Sequence, residues 1–194
     1  GTKWSSARRS RFEEAAAAAF TAAGSTINGC AATATRRASG GWRATWKGEG
    51  GGVLLNQCLH QLDTLQWLVG MPARVRGFCQ IGRYHNIEVE DNVSIFMEWK
   101  NGATGVFVGS TGEAPGVNRL DVIGERGALS FDGKRLLLSE NDPPTGEFSR
   151  DTRAMFGMPA TSVRDITPDR AINQHAAVLN NFVAAILRNE PLLA

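Results

Sequence analysis

The feature that most restricts this chain is a series of short alternating stretches from Ala73 to Glu140, one after another, with no helical stretch between them. In "ARVRGFCQIGR", Val75, Cys79 and Ile81 point one way and Arg74, Arg76 and Gln80 the other, which is the two-residue period of a strand. In "NVSIFMEWKNGATGVFVGS", Val93, Ile95, Met97 and Trp99 alternate with more polar neighbours. Asn101-Gly102 then supplies a favoured two-residue hairpin turn, and the returning strand sets Val106 and Val108 against Gly105, Phe107 and Gly109. "NRLDVIGERGALSFDGKRLLLSE" reads as three more strands, joined at Gly124–Gly127 and Asp132-Gly133. Five or six consecutive strands form an antiparallel sheet, with one face for helices and the other solvated or paired with a second subunit.

Helical spacing flanks this sheet. "VLLNQCLHQLDTLQWLVG" places Leu55, Leu59, Leu62, Leu65 and Val69 on one stripe. Gly70 and Met71-Pro72 stop it. Near the end, Thr167 is the expected cap with Pro168 at the first helical position, followed by Ile172, Ala176, Leu179, Phe182, Val183 and Ile186 at helical intervals. The order helix, strands, helix predicts an α+β fold, a mostly antiparallel sheet with helices packed on one face. "NDPPTGEFSRDTRAMFGMPATSV" is expected to be a long polar loop. "RFEEAAAAAFTAAG" is expected to form a short helix ended by Gly24, and "STINGCAATATRRASGG" to be irregular.

At 194 residues, 42% of them hydrophobic, the chain can bury one good-sized core. There is no apolar run of the ~18 residues a membrane span needs, and the N-terminus has no apolar signal centre. No membrane partner is expected, and the cytoplasm is the expected location. The three cysteines, Cys30, Cys58 and Cys79, are odd in number and lack C-x-x-C spacing, against both a disulfide framework and a cysteine zinc site. Gly1 to Lys47 holds eight Lys and Arg against two Glu, and the remainder thirteen against seventeen acids, so a basic arm precedes a mildly acidic body. The arm has no nucleic-acid-binding motif and is read as a solvated tail, with no nucleic acid as partner.

The glycines of "GEGGGVLLNQCLHQLD" do not make a dinucleotide fingerprint. "WRATWK" is a poor buried strand, and Val53 stands where the last glycine of G-x-G-x-x-G would be. They are better read as allowing close backbone approach at a helix start. On that helix Asn56, His60, Asp63 and Trp67 recur at i, i+4, i+7 and i+11 and share one face. In the plain structural reading, His60 and Asp63 bond each other or nearby backbone. In the functional one, His60 exchanges a proton with a substrate hydroxyl, since an unperturbed pKa of ~6.5 suits that task, and Asp63 orients its ring. His60 with one carboxylate is not a metal ligand set, and His85 and His175 stand at no motif spacing to it, so no metal is expected.

"GGGVLLNQCLHQLD" resembles the Gly-rich helix start of the glucose–fructose oxidoreductase / inositol dehydrogenase / MocA family, whose pattern is roughly G-G-G-x-L-x-D-x-x-x-H-x-x-D. Gly50, Gly51, Gly52, Leu54, His60 and Asp63 fit it, with Asn56 in place of the family Asp. "VEDNVSIFMEWKNGATGVFVGS", "NRLDVIGERGALSFD" and "HAAVLNNFVAAILRNEPLLA" are similar to its central hairpin, next strand pair and last helix. The resemblance covers residues 39–194 and is to the substrate-binding and oligomerisation domain. The nucleotide-binding domain, with its fingerprint and its E-K-P catalytic Lys, has no counterpart. Residues 1–38 resemble nothing in the family and read as an irregular or disordered basic arm, whose bias suits a GC-rich gene read out of frame.

The resemblance implies the C-terminal domain of an NAD- or NADP-dependent oxidoreductase acting on a sugar or polyol CH–OH group, with the cofactor not held tightly by this chain alone and no turnover by it alone. It implies His60 as acid/base and Asn56 as a substrate hydrogen-bond partner without charge. Arg43, Trp46 and Lys47 are assigned to the same pocket, and Tyr84 and His85 to further polar contacts. A homo-oligomer through the open sheet face is expected. The alternative is a non-enzymatic self-association or interaction module.

Overall fold

A computed structural model of the chain describes residues 19–25, 41–169 and 173–192. Its centre is one eight-stranded sheet in the order β2-β3-β4-β1-β5-β6-β7-β8. The strands are β1 (Ala19–Ser25), β2 (Arg74–Ile81), β3 (Glu90–Glu98), β4 (Thr104–Ser110), β5 (Asn118–Gly124), β6 (Gly127–Phe131), β7 (Leu136–Asp142) and β8 (Ala160–Asp165). Every neighbouring pair is antiparallel except β1 with β4. Among the described residues three helices accompany the sheet: α1 (Leu59–Val69), α2 (Thr145–Asp151) and α3 (Gln174–Arg188). The α+β architecture expected from the sequence is the one observed.

Register decides which residues meet. Val93 pairs with Gly109, Ile95 with Phe107 and Met97 with Gly105, so these residues share one face. On that face Val93, Met97 and Phe107 join Val53, Cys58, Leu65, Trp99, Ala103, Val122 and Leu129 in one buried cluster. Gly109, opposite Val93, leaves room for Cys58, which leads into α1. The Cys58 thiol lies so close to Gly109 that a Cβ there would sit 2.7 Å from its sulfur. Trp99 locks the far end of α1, its indole N–H donating to Gly70 O at 3.0 Å. The β3–β4 turn forms at Asn101-Gly102 with three residues rather than two in the loop: Trp99 N bonds Ala103 O, Gly102 N bonds Trp99 O, and Gly102 takes φ +88°. That is a type I turn closed by a glycine in the left-handed region.

Four local expectations are corrected. The Ala-rich stretch expected to be helical gives strand β1 over Ala19–Ser25, and its first part lies outside the described residues. Pairing on both sides, to β4 and β5, outweighs the helix preference of alanine, which is a weak prior. The helix expected from Leu55 begins as α-helix only at Leu59, and Leu55 and Leu59 are half exposed while Leu65 is buried. The polar loop after β7 contains α2 and β8. Thr167 does not cap the last helix. Its hydroxyl accepts from Leu136 N at 2.8 Å, tying the chain to β7, and Asn173 caps α3 instead, its Oδ1 accepting from Ala176 N at 3.1 Å.

Burial of Cys58, and secondarily the nearby Glu90 carboxylate, push its thiol from the ordinary 9.0 up to about 11. A raised folded-state pKa means the folded protein keeps its proton longer than the unfolded chain. The associated stability is whole below about pH 9 and falls as pH rises towards 11, by on the order of 2 kcal/mol. Urea unfolding between pH 8 and 11 measures this, and Cys58→Ala is expected to flatten the dependence. At pH 8 a thiol reagent is expected to label exposed Cys79 quickly and Cys58 only on unfolding, as peptide mapping would read out.

Candidate functional site

The loops before α1 are organised by two adjacent acids at the start of β3. Glu90 and Asp91 are both buried. Both carboxylate oxygens of Glu90 accept from Gly52 N at 2.9 Å, and Oε1 also accepts from Leu54 N at 3.2 Å. Val53 N adds a bond to Glu90 O at 2.8 Å. The approach is so close that a Cβ on Gly52 would lie 2.0 Å from Glu90 O. A buried carboxylate facing only hydrocarbon would be prohibitive. Here oriented N–H groups at the start of a helical turn stabilise it.

Asp91, fully buried, accepts from three consecutive backbone amides: Arg83 N at 2.9 Å, Tyr84 N at 2.7 Å and His85 N at 3.0 Å. Successive N–H groups that converge in this way form an anion nest. The His85 ring closes it, with Nδ1 3.3 Å from Asp91 Oδ2 and 3.5 Å from the Thr111 hydroxyl. A bond from Glu88 N to Ala44 O at 3.2 Å brings the Trp42–Lys47 loop to the same end of the sheet.

On this frame the expected site residues separate into two groups. Asn56, His60 and Asp63 are all exposed, as is Trp67. The His60 ring has no hydrogen-bond partner among the described residues, and Asp63 makes no bond to it. Asn56 Nδ2 donates to Glu49 Oε1 at 2.6 Å. Trp46 and Lys47 are exposed, and Arg43 stacks its guanidinium 5.1 Å from the Trp42 ring centre. Tyr84 lies against Gly112 with Arg83 5.0 Å above its ring. The His85 side chain, 7% exposed, is turned inward onto Asp91 rather than outward. Sequence reasoning missed Glu90, Asp91 and Glu49 as the residues that hold these loops. "VED" was read only as the start of a strand, because the partners of its acids lie up to 38 residues away.

Three of the four glycine amides are engaged with protein, Gly48 N–H by Thr45 Oγ1 and Gly50 N–H by Trp46 O. Gly52 N–H is taken by Glu90, and a Cβ on Gly48 would sit 1.9 Å from Trp42 O. These amides do not fit a cofactor phosphate. Among the described residues no group of three or more His, Cys, Asp or Glu is placed to hold a metal, and no helix is long and apolar enough to cross a membrane. A groove of about 490 Å³ lies on the β2 and β3 strands, lined by Arg74, Val75, Arg76, Phe96 and Glu98, none of them among the expected substrate contacts.

The sequence profile described as the GFO/IDH/MocA C-terminal domain matches residues 23–130, from within β1 to β6, and the chain belongs to that family. Its fold is similar to the WlbA dehydrogenase from Chromobacterium violaceum, solved with NADH and UDP-GlcNAcA, at 22% identity and TM-score 0.67, over 94% of this chain and 48% of that one. Levoglucosan dehydrogenase, solved with NADH and L-sorbose, is 16% identical with TM-score 0.66, over 92% of this chain and 52% of that one. The UDP-N-acetylglucosamine 3-dehydrogenase from Acidithiobacillus ferrooxidans is 16% identical with TM-score 0.62, over 96% and 50%. The chain thus spans about half the length of these solved dehydrogenases. No curated protein sequence matches it.

Removing the buried Asp91 carboxylate leaves three converging backbone amides and His85 without their acceptor. Asp91→Ala is expected to cost about 3 kcal/mol or more, whereas exposed Glu113→Ala should stay within about 0.5 kcal/mol. Urea denaturation of both variants measures the difference.

Proposed function

We propose that this sheet and its helices form the substrate-binding and oligomerisation half of an NAD(P)-dependent oxidoreductase acting on a sugar or polyol CH–OH group. The observation that carries the reading is an outward, unpartnered His60 one helical turn beyond Asn56, at the glycine-led start of α1 in a member of this family. When bound in a whole enzyme of this kind, the nicotinamide exchanges hydride with the substrate carbon. This chain's part is to hold the hydroxyl. Asn56 bonds a neighbouring hydroxyl of the substrate, and His60 takes the proton of the reacting one as the carbonyl forms, or returns it in the reverse direction. Asp63 can bias the ring only after a rearrangement, since the two make no bond. Arg43, Trp46, Lys47 and Tyr84 are the remaining contacts proposed for the substrate, while His85 serves through the Asp91 nest that presents Tyr84. Cys58 and Cys79, both free thiols, are in keeping with a cytoplasmic setting.

Levoglucosan and L-sorbose are the first probes. Saturation-transfer NMR of this chain is expected to show contact with at least one of them, lost in His60→Ala and Asn56→Ala. NADH fluorescence titration should show no tight saturable binding. Saturable NADH binding, or sugar contact unchanged by both substitutions, would contradict the assignment.

The open sheet face supports a second role. Register places Phe78, Phe96, Val106, Ile123 and Val163 on the face opposite the core, and all five are exposed, Phe78 by 78%. Exposed apolar side chains on one sheet face, with Phe96 directly opposite Val106, suit an interaction site, and we assign it to pairing of two copies. Analytical ultracentrifugation is expected to give a dimer or larger species, reduced to monomer by Phe78→Asp with unchanged circular dichroism. A monomeric wild-type chain at micromolar concentration would remove this role.

A further inference from the structure

We propose that Glu49 is a positioning residue of the site, holding the Asn56 amide so that its carbonyl oxygen faces outward as an acceptor for a substrate hydroxyl. The proposal rests on the reading of Asn56 and His60 as the substrate-facing pair, and it adds a residue and a polarity to that pair. A side-chain amide has two ends of nearly the same shape, one a donor and one an acceptor. An exposed Asn with no fixed neighbour presents either. Glu49 removes that freedom. Its Oε1 lies 2.6 Å from the Asn56 amide, and an ionised carboxylate only accepts. The atom it meets is therefore the NH₂ group, and Oδ1 is the end left for solvent or substrate.

Glu49 is itself held on two other sides. Its Oε2 accepts from Ala44 N at 2.5 Å, and its own N–H donates to Thr45 O at 3.0 Å. Ala44 adopts φ +58°, a conformation uncommon for a residue with a Cβ. The carboxylate thus anchors one loop and orients a residue of another, across seven positions of sequence. A hydroxyl bound to Asn56 Oδ1 is held through its one proton, so the hydroxyl oriented here is a neighbour of the reacting CH–OH and not the one whose proton His60 takes.

Two measurements on the ¹⁵N-labelled chain test this. The Asn56 side-chain amide resonances are expected to shift with pH as a neighbouring carboxylate ionises, and Glu49→Gln is expected to abolish that shift. Asn56→Asp sets two carboxylates against each other. It should lower Tm by ~2–4 °C at pH 8, with most of the loss regained at pH 4. The double variant Glu49→Gln/Asn56→Asp, in which a carboxylate again faces an amide, should regain most of the loss at pH 8. A residue that merely anchors Ala44 would show no such rescue. A pH-independent Asn56 amide, or a double variant no better than the sum of the singles, overturns the proposal whatever the sugar does. With the coupling present, saturation transfer from levoglucosan or L-sorbose that weakens in Glu49→Gln supports the orienting role. Absence of transfer in the wild-type chain overturns that role together with the substrate reading beneath it, and leaves the Glu49–Asn56 coupling to be judged by the Tm cycle alone.

Discussion

Two neighbouring carboxylates, Glu90 and Asp91, are the constraint on which the rest of the site depends. They enter the protein interior side by side at the start of β3, and each is made tolerable by backbone N–H groups rather than by a lysine or arginine. One recruits the glycine loop that precedes α1, the other the Arg83–His85 loop. An unsatisfied buried charge would cost far more than either loop could recover by other contacts, so the two loops have little freedom in where they end. The sheet supplies rigidity and these acids convert it into loop position. The outward His60 ring inherits its place from bonds that do not involve it, whereas Tyr84 is placed by its own amide on Asp91.

The fold divides its two faces between different tasks. One face of the sheet closes on Val53, Cys58 and Leu65 and so fixes α1 against β3 and β4. The outer side of α1 is left polar and aromatic, with His60, Asp63 and Trp67 in the open. The opposite face of the sheet keeps Phe78, Phe96 and Val106 exposed.

The strands were legible because their signals are local. Alternation at Val93, Ile95 and Met97, and the turns at Gly102, Gly127 and Gly133, are set by residues within a few positions of one another. The close approach read from the glycines was also legible, since Gly52 lies against Glu90 with no space for a side chain. What failed to show in the sequence is what depends on distant partners. Nothing in "AFTAAGS" announces a strand until β4 and β5 are beside it. Thr167 looks like a helix cap until Leu136 N claims its hydroxyl. Likewise the direction in which Phe107 points, into the core rather than outward with Val106, is settled by what packs on each face and not by the alternation itself.

The amino-acid order alone determined the class of fold and the family, because each rests on periodicity or motif within one segment. Tertiary structure alone decided that Glu90 and Asp91 hold the loops, that His85 turns inward, and that Glu49 takes one end of the Asn56 amide. The physical reason is that a buried acid is defined by the donors around it. In this chain those donors are backbone amides, which every residue but proline carries, so no residue type in the sequence marks where they will converge.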